Sequence, residues 1–363
     1  MWKPIYLNVG FRLVPEKQRG QWLSKELQKA GPVYVKFGQF ISNREDIFGS
    51  LSKELGSLRD RVEPEPFEAI ESLLPKVDSV EKTPIASASI SQVHVGYVKG
   101  RKVVLKVKRP GISTKFKRDL DTIERFLQLT DKSLIDTVFK EFSDNLKAEI
   151  DFENEIRNMK RFQDVYSDST VVKIPKVYPK LSNSDVIVME YVESEKVLRN
   201  DKEFAKQIMD MFLQQIVFDG EVHGDLHAGN VGMNDGRVVM YDFGNVIRIP
   251  DAYRAMMRKL FQAIQNQNVD EIFSVMKAMG MQINDEKETR RFIKSYLKYL
   301  DTVDVNAFSV AKFTSKIPVQ FDKTTFQIIR TTGLVEGTCK QIWPDFNYSD
   351  SILLCIELIA LGF

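Results

Sequence analysis

Two aspartates and an asparagine at fixed intervals constrain this chain more than any other feature. They lie in His223-Gly224-Asp225-Leu226-His227-Ala228-Gly229-Asn230 and in Asp242-Phe243-Gly244, with eleven residues between Asn230 and Asp242. The apolar run Val238-Val239-Met240-Tyr241 reads as a strand that delivers the second aspartate. A hard, six-coordinate Mg²⁺ takes oxygen ligands and usually only one or two protein carboxylates. Asp242 and Asn230 can supply that oxygen set. Asp225 is then left to handle a proton or to position a nucleophile.

The rest of the chain divides by pattern. Residues 1–83 read as a helical extension. Trp22, Leu23, Leu27 and Ala30 keep a helical period that Gly31-Pro32 stops, and a second helix runs from Val33 through Gln39. Pro64, Pro66, Pro75 and Pro84 mark a linker-like stretch with one short helix. Residues 84–192 read as a small mixed unit. Ile90–Val98 and Arg101–Lys108 form a hairpin joined at Lys99-Gly100, with Val103, Leu105 and Val107 on one face and Lys106 on the other. Helical stripes follow at Phe116/Leu120/Ile123/Leu127, Leu134/Val138/Phe142/Leu146 and Phe152/Ile156/Met159/Phe162. Two more strands are expected near Val171–Tyr178 and Val186–Val192, with a turn at Ser182–Asp185. Residues 193–363 read as a mostly helical unit, opening with an amphipathic helix over 201–219.

Composition removes some functions. Of 363 residues, 52 are basic and 50 acidic, a net +2 that makes no case for nucleic acid as an obligate partner. The two cysteines, Cys339 and Cys355, have no metal or redox spacing, and a reducing, intracellular setting is expected. No window reaches the length of a membrane-spanning helix, which leaves a soluble or peripherally membrane-associated chain. Ser351–Phe363 reads as a terminal helix packed on the core, with membrane docking as the sharper alternative.

Lys106 sits mid-strand in Val-Val-Leu-Lys, and Glu155 lies on a following helix. A strand lysine held by a helix glutamate, its ammonium on the α- and β-phosphates, is the nucleotide clamp of kinase-like sites. Before it runs Pro84-Ile85-Ala86-Ser87-Ala88-Ser89-Ile90-Ser91, where an ordinary kinase has a Gly-rich loop. Backbone amides there can still face phosphate, with serine hydroxyls as added donors. The three histidines, His94, His223 and His227, all fall inside these motifs. His94 and His227 read as hydrogen-bond partners that fix loop geometry. A His223/Asp225/His227 zinc-hydrolase set is a poorer reading, since catalytic Zn²⁺ generally takes about three protein ligands.

These residues together resemble the UbiB family of atypical kinase-like proteins, also called the AarF-domain or ADCK family, over roughly residues 20 to 280. The family's Lys-x-Gly-Gln motif matches Lys36-Phe37-Gly38-Gln39, and its alanine-rich loop matches Ala86 to His94. Its lysine matches Lys106, its Glu-x-Asp pair Glu149 and Asp151, and its helix glutamate Glu155. The usual His-Ala-Asp-Pro-His-Pro-Gly-Asn becomes His-Gly-Asp-Leu-His-Ala-Gly-Asn; both prolines are lost and every polar position is kept.

The resemblance implies an α+β, protein-kinase-like bilobal fold with a small β-rich N-lobe, a helical C-lobe and a helical extension over the active site. It implies that Ala86, Ser87, Ala88, Ser89, Ile90 and Ser91 cover the phosphates, and that Lys36, Gln39, Glu149 and Asp151 line the nucleotide site. Val188 to Val192 would be the hinge, with backbone groups of Glu190 and Val192 reading the adenine edge. ATP and Mg²⁺ are the implied cofactors, with Lys106 on the α- and β-phosphates, Glu155 orienting it, Asn230 and Asp242 on the metal, and Asp225 as base or orienter. The implied setting is ubiquinone or other prenyl-lipid metabolism, with a lipid or prenyl-quinone precursor as partner. After Gly244 no long Ser/Thr/Tyr-bearing segment and no Ala-Pro-Glu follow, so a peptide-docking activation loop has no evident place. Two alternatives stay open: a small-molecule kinase of the aminoglycoside or choline type, and a catalytically idle, nucleotide- and lipid-responsive scaffold.

Overall fold

A two-residue turn sets the register of the main sheet. Lys99 (φ 50°) and Gly100 (φ 71°) both take the left-handed conformation, which matches the twist of an antiparallel pair. That turn pairs β3 (Ser91–Val98) with β4 (Arg101–Lys108) along their full length, Val98 opposite Arg101 and Ser91 opposite Lys108. In the computed structural model, described for residues 9–11, 13–15, 18–42, 49–55, 58, 63–130, 139–195, 200–302, 319–347, 351 and 358–359, the chain forms two compact units. The first holds Met1–Ile156 and Val177–Tyr191; the second holds Arg157–Lys176 and Val192–Phe363.

In the first unit, β1 (Ser79–Val80), β3, β4 and β6 (Val186–Glu190) lie in that order, and β2 (Ala86–Ser87) adds to β3. All pairings are antiparallel. Val103, Leu105 and Val107 pack with Val186, Val188 and Ile70 in one apolar cluster, as the period-2 pattern of β4 requires. The helices α1 (Arg19–Ala30), α2 (Pro32–Ser42), α3 (Ser50–Leu55) and the short α4 (Phe67–Ile70) precede the sheet. Gly31, at φ 120°, turns the chain between α1 and α2. After β4 come α5 (Ile112–Thr130), α6 (Lys140–Ile150) and α7 (Phe152–Val165), which passes from the first unit to the second. Phe116, Leu120, Ile123 and Leu127 are buried as a stripe, and the Phe142 ring meets Phe37 and Phe40. Leu134 and Val138 lie outside the described residues, as does most of Ser351–Phe363.

The second unit begins its later part with α8 (Lys202–Gln214), capped where Asp201 accepts from the Phe204 amide. One π-turn, Gln215–Asp219, ends it at left-handed Gly220. The strand β7 (Glu221–His223) pairs with β10 (Val246–Arg248), and β8 (Val231–Asn234) with β9 (Arg237–Met240) through the left-handed pair Asp235-Gly236. The helices α9 (Asp251–Gln265), α10 (Val269–Ala278), α11 (Glu286–Thr302) and α12 (Lys323–Ile342) follow, with the small pair β11 (Gln282–Ile283) and β12 (Val319–Gln320) among them.

One expected strand is divided. Within 171–178 only β5 (Val172–Lys173) is a strand, and it pairs in parallel with β9 in the second unit. Val177 instead bridges Met189 in the first unit. Pro175, which offers no amide hydrogen, separates the two. The stretch expected as linker also contributes β1, whose Ser79 and Val80 pair with Tyr97 and Gly96.

Candidate active site

In the first unit, the alternation that buries Val103, Leu105 and Val107 turns Lys106 to the opposite face of β4, between Val93 of β3 and Ile187 of β6. Its ammonium lies 2.7 Å and 2.9 Å from the two carboxylate oxygens of Glu155. Glu155 is 1 % exposed. Asp151 sets the helix that presents it, since its carboxylate accepts from the Asn154 amide at 2.9 Å and its carbonyl from the Glu155 amide at 3.0 Å. Lys36 on α2 pairs with Glu149 at 2.6 Å, and the Gln39 side-chain amide donates to the Leu58 carbonyl at 3.3 Å. Glu190 lies opposite Val103 at the end of β6; Val192 is buried in the second unit.

The segment from Ala86 to Ser91 folds as a tight turn. Ala86 and Ser87 pair with Val93 and Gln92, and the Ala88 amide donates to the Ser91 carbonyl. Ala86 and Ala88 are exposed, whereas Ser89, Ile90 and Ser91 are buried. Arg109 secures this turn from beneath. Its guanidinium, 5 % exposed, donates to the Ala88 carbonyl (3.0 Å), Ser87 Oγ (2.9 Å), the Glu63 carbonyl (2.8 Å) and the Glu65 carboxylate (3.0 Å). Gln92 binds the Glu65 backbone through both its side-chain atoms and meets His94 Nε2 at 2.9 Å; His94 Nδ1 meets the Glu81 carbonyl.

In the second unit, His223 is fully buried between the rings of Phe162 and Phe243. Its Nδ1 accepts from the Asp225 amide at 3.2 Å, so Nε2 carries the proton and donates to the Tyr241 carbonyl at 2.8 Å. Burial pulls its pKa below the usual histidine value and keeps it neutral. His223 thereby ties the Asp225 loop to the strand end before Asp242. Both its nitrogens are engaged, as are those of His94, which removes the ligands a zinc centre would need.

Asn230 donates through Nδ2 to the Asp225 carbonyl at 2.9 Å, which orients its side-chain oxygen as the remaining acceptor. Asp242 is exposed and takes φ 56°, a left-handed conformation that aspartate and asparagine tolerate better than most residues. Its Oδ1 accepts from the Gly244 amide at 3.2 Å. Phe243 is buried at 5.0 Å from the Phe162 ring, and its carbonyl accepts from Asn158 Nδ2 at 2.7 Å. An amide oxygen and one carboxylate on adjoining loops of one unit suit a cation that needs few protein ligands. His227 Nε2 lies 3.9 Å from Asp225, and its Nδ1 accepts from the Gly229 amide.

Sequence reasoning missed Arg109, Gln92 and Asn158. Asn158 had a legible signal: a polar residue one turn after Glu155, inside an apolar helix stripe. Arg109 and Gln92 had none, because the backbone groups they hold at Glu63, Glu65 and Ala88 lie 21 to 46 residues away.

Residues 62–276 match the model of the ABC1 atypical kinase-like domain. An uncharacterised Clostridium pasteurianum protein encoded 5′ of hydrogenase 1 is 28 % identical over 96 % of this chain and 73 % of its own length. The chloroplastic protein Activity of bc1 complex kinase 8 of Arabidopsis thaliana is 30 % identical over 74 % of this chain, which spans 40 % of that protein. A Mycobacterium tuberculosis protein solved in complex with erythromycin superposes with a TM-score of 0.62 at 23 % identity, over 77 % of this chain and 80 % of that one. That likeness shows the α+β, bilobal kinase-like fold.

Proposed function

The chain belongs to the ABC1 atypical kinase-like family, and from that premise we propose that it is a Mg²⁺-dependent, ATP-binding kinase or ATPase. The observation that carries this reading is the two-pronged bond from Lys106 to the buried Glu155 carboxylate. It fixes a strand lysine in the posture that receives nucleotide phosphates. Lys106 takes the α- and β-phosphates, and Glu155 orients it. Asp242 and the Asn230 side-chain oxygen hold the metal. A Mg²⁺ bound there would supply neutralisation of the phosphate charge. Asp225, half-exposed at its side chain, serves as base or as orienter of the attacking oxygen. The turn from Ala86 to Ser91 covers the phosphates, and Lys36, Gln39, Glu149 and Asp151 shape the site's edge. The setting we propose is prenyl-lipid metabolism at a membrane surface, on the strength of the motifs shared with the UbiB family. Among the described residues no helix is long and apolar enough to cross a membrane.

Thermal unfolding with ATP in the presence of Mg²⁺ or of chelator tests the core of this reading. A ligand at about 100 times its dissociation constant adds about 2.7 kcal/mol to the folded state. Wild type should show a Mg²⁺-dependent rise, and Asp242→Asn, which keeps the left-handed backbone and loses the charge, should lose most of it. An unchanged metal-dependent rise in that variant refutes the metal assignment. Hydrolysis measured with and without anionic vesicles and prenyl-phenols tests the setting; a rate indifferent to both removes it.

A further inference from the structure

Lys108 is a buried cation for which the proposed function has no use. It follows Lys106 by two residues on β4, so the two side chains share a face. Across the strand pair, Val93 faces Lys106 and Ser91, the end of the covering turn, faces Lys108. Lys108 is 6 % exposed, about as buried as Lys106, yet its surroundings differ. Lys106 is held by both oxygens of Glu155. The Lys108 ammonium has no ion pair and no hydrogen-bond acceptor among the described residues. Its ammonium lies 4.7 Å from the centroid of the Phe152 ring, and that of Lys106 lies 5.5 Å from the same centroid. Burial pulls its pKa below the ordinary lysine range, against the attraction of Asp185, Asp151, Glu153 and Glu155 from beyond bonding distance.

A buried charge in a folded chain is normally paired, or it holds a ligand. A ring face recovers only part of the lost hydration. An anion beside the ring would pair this ammonium directly, and its form follows from the two lysines. They project in line from one strand, two residues or roughly 7 Å of backbone apart, toward one aromatic ring. An elongated polyanion with charge distributed along its length satisfies both at once. A singly charged anion satisfies one. Where Lys106 takes the α- and β-phosphates, the next cation along β4, toward the covering turn, meets the phosphate beyond them.

We propose that Lys108 is a second phosphate-binding cation, which contacts the terminal phosphate of a nucleoside triphosphate and makes the protein distinguish tri- from diphosphate. This rests on the nucleotide-binding function proposed above and adds to it the discrimination by phosphate number.

Titration calorimetry of the full chain with Mg²⁺ and either ADP or a non-hydrolysable ATP analogue tests it, on wild type, Lys108→Met and Lys108→Arg. Lys108→Met should weaken the triphosphate about 10-fold or more while leaving ADP within about twofold, since one charge-assisted contact is lost. Lys108→Arg, which keeps the charge, should recover most of the loss. Without ligand, Lys108→Met should melt no lower than wild type, because it removes a desolvated charge and keeps the apolar stem. Equal weakening of both nucleotides, or no weakening of either, overturns the role of Lys108 alone. Wild type that binds neither nucleotide overturns the proposed function, and this inference with it.

Discussion

Replacing Lys106 with methionine isolates the interaction on which the functional reading depends. The variant keeps the stem that packs on β4 and removes the ammonium 2.7 Å from Glu155. Glu155, 1 % exposed, then keeps its desolvation penalty without the cation that offsets it. Breaking a buried pair in this way costs about 3–5 kcal/mol. The reverse single change, Glu155→Leu, should cost less, about 1–2 kcal/mol, because the Lys106 ammonium retains the Phe152 ring nearby. The double variant Lys106→Met/Glu155→Leu removes both charges and should unfold within about 1 kcal/mol of wild type, as apolar replacements of buried pairs often do. Urea unfolding of the four proteins, with stability taken from midpoint and slope, closes the cycle. A pH arm gives a second reading. In Lys106→Met the Glu155 carboxyl loses that ammonium, and burial raises it above the ordinary glutamate value of about 4.3. A raised acid contributes its full stability below the unfolded pKa and loses it as pH climbs through the folded one. The deficit of the variant should therefore be smallest near pH 4 and grow toward neutrality. Losses that simply add in the double variant, or a deficit flat with pH, would refute the claim that the pair is buried and coupled.

Arg109→Ala should destabilise the first unit by about 3 kcal/mol or more, since several buried acceptors lose a charged donor. Hydrogen exchange should accelerate at Ala86–Ser91 and not in β6, and Arg109→Lys, which lacks the planar fork, should restore little; full restoration by lysine would show that charge alone matters. Burial raises the pKa of Asp219, against the hydrogen bonds from Tyr166 and Gln214 and the Arg254 charge. Its stabilising contribution is thus present below the unfolded value of about 3.9 and falls away as pH rises through the folded one. Relative to wild type, Asp219→Asn should gain stability as pH rises from about 4 to 7, and a pH-independent difference in paired unfolding curves would contradict this.

What is legible in the chain and what is not follows from how far each interaction reaches. The two-residue period of β4 separates Val103, Leu105 and Val107 from Lys106 and Lys108 without any knowledge of neighbours, and the burial of the first three follows it. The stripe Phe116/Leu120/Ile123/Leu127 is legible for the same reason, as its spacing is local. The segment 171–178 reads as one strand because apolar character carries no record of which partner each residue finds. Val172 pairs with Val238 and Val177 with Met189, choices set by tertiary contacts on either side of Pro175. The site divides along the same line. Asp225, Asn230 and Asp242 stand out because their chemistry and intervals are carried within a short run. Arg109 does not: its identity is visible, but four acceptors in two separate stretches define what it does. Lys108 is the instructive intermediate. Alternation predicts its face, yet only the folded chain shows that Glu155 is committed to Lys106 while Lys108 is buried beside the same ring without a carboxylate of its own. A charge held without a direct partner is a property of the environment, so it appears only once the environment is assembled, and that is why the binding role proposed for Lys108 follows from packing and not from motif.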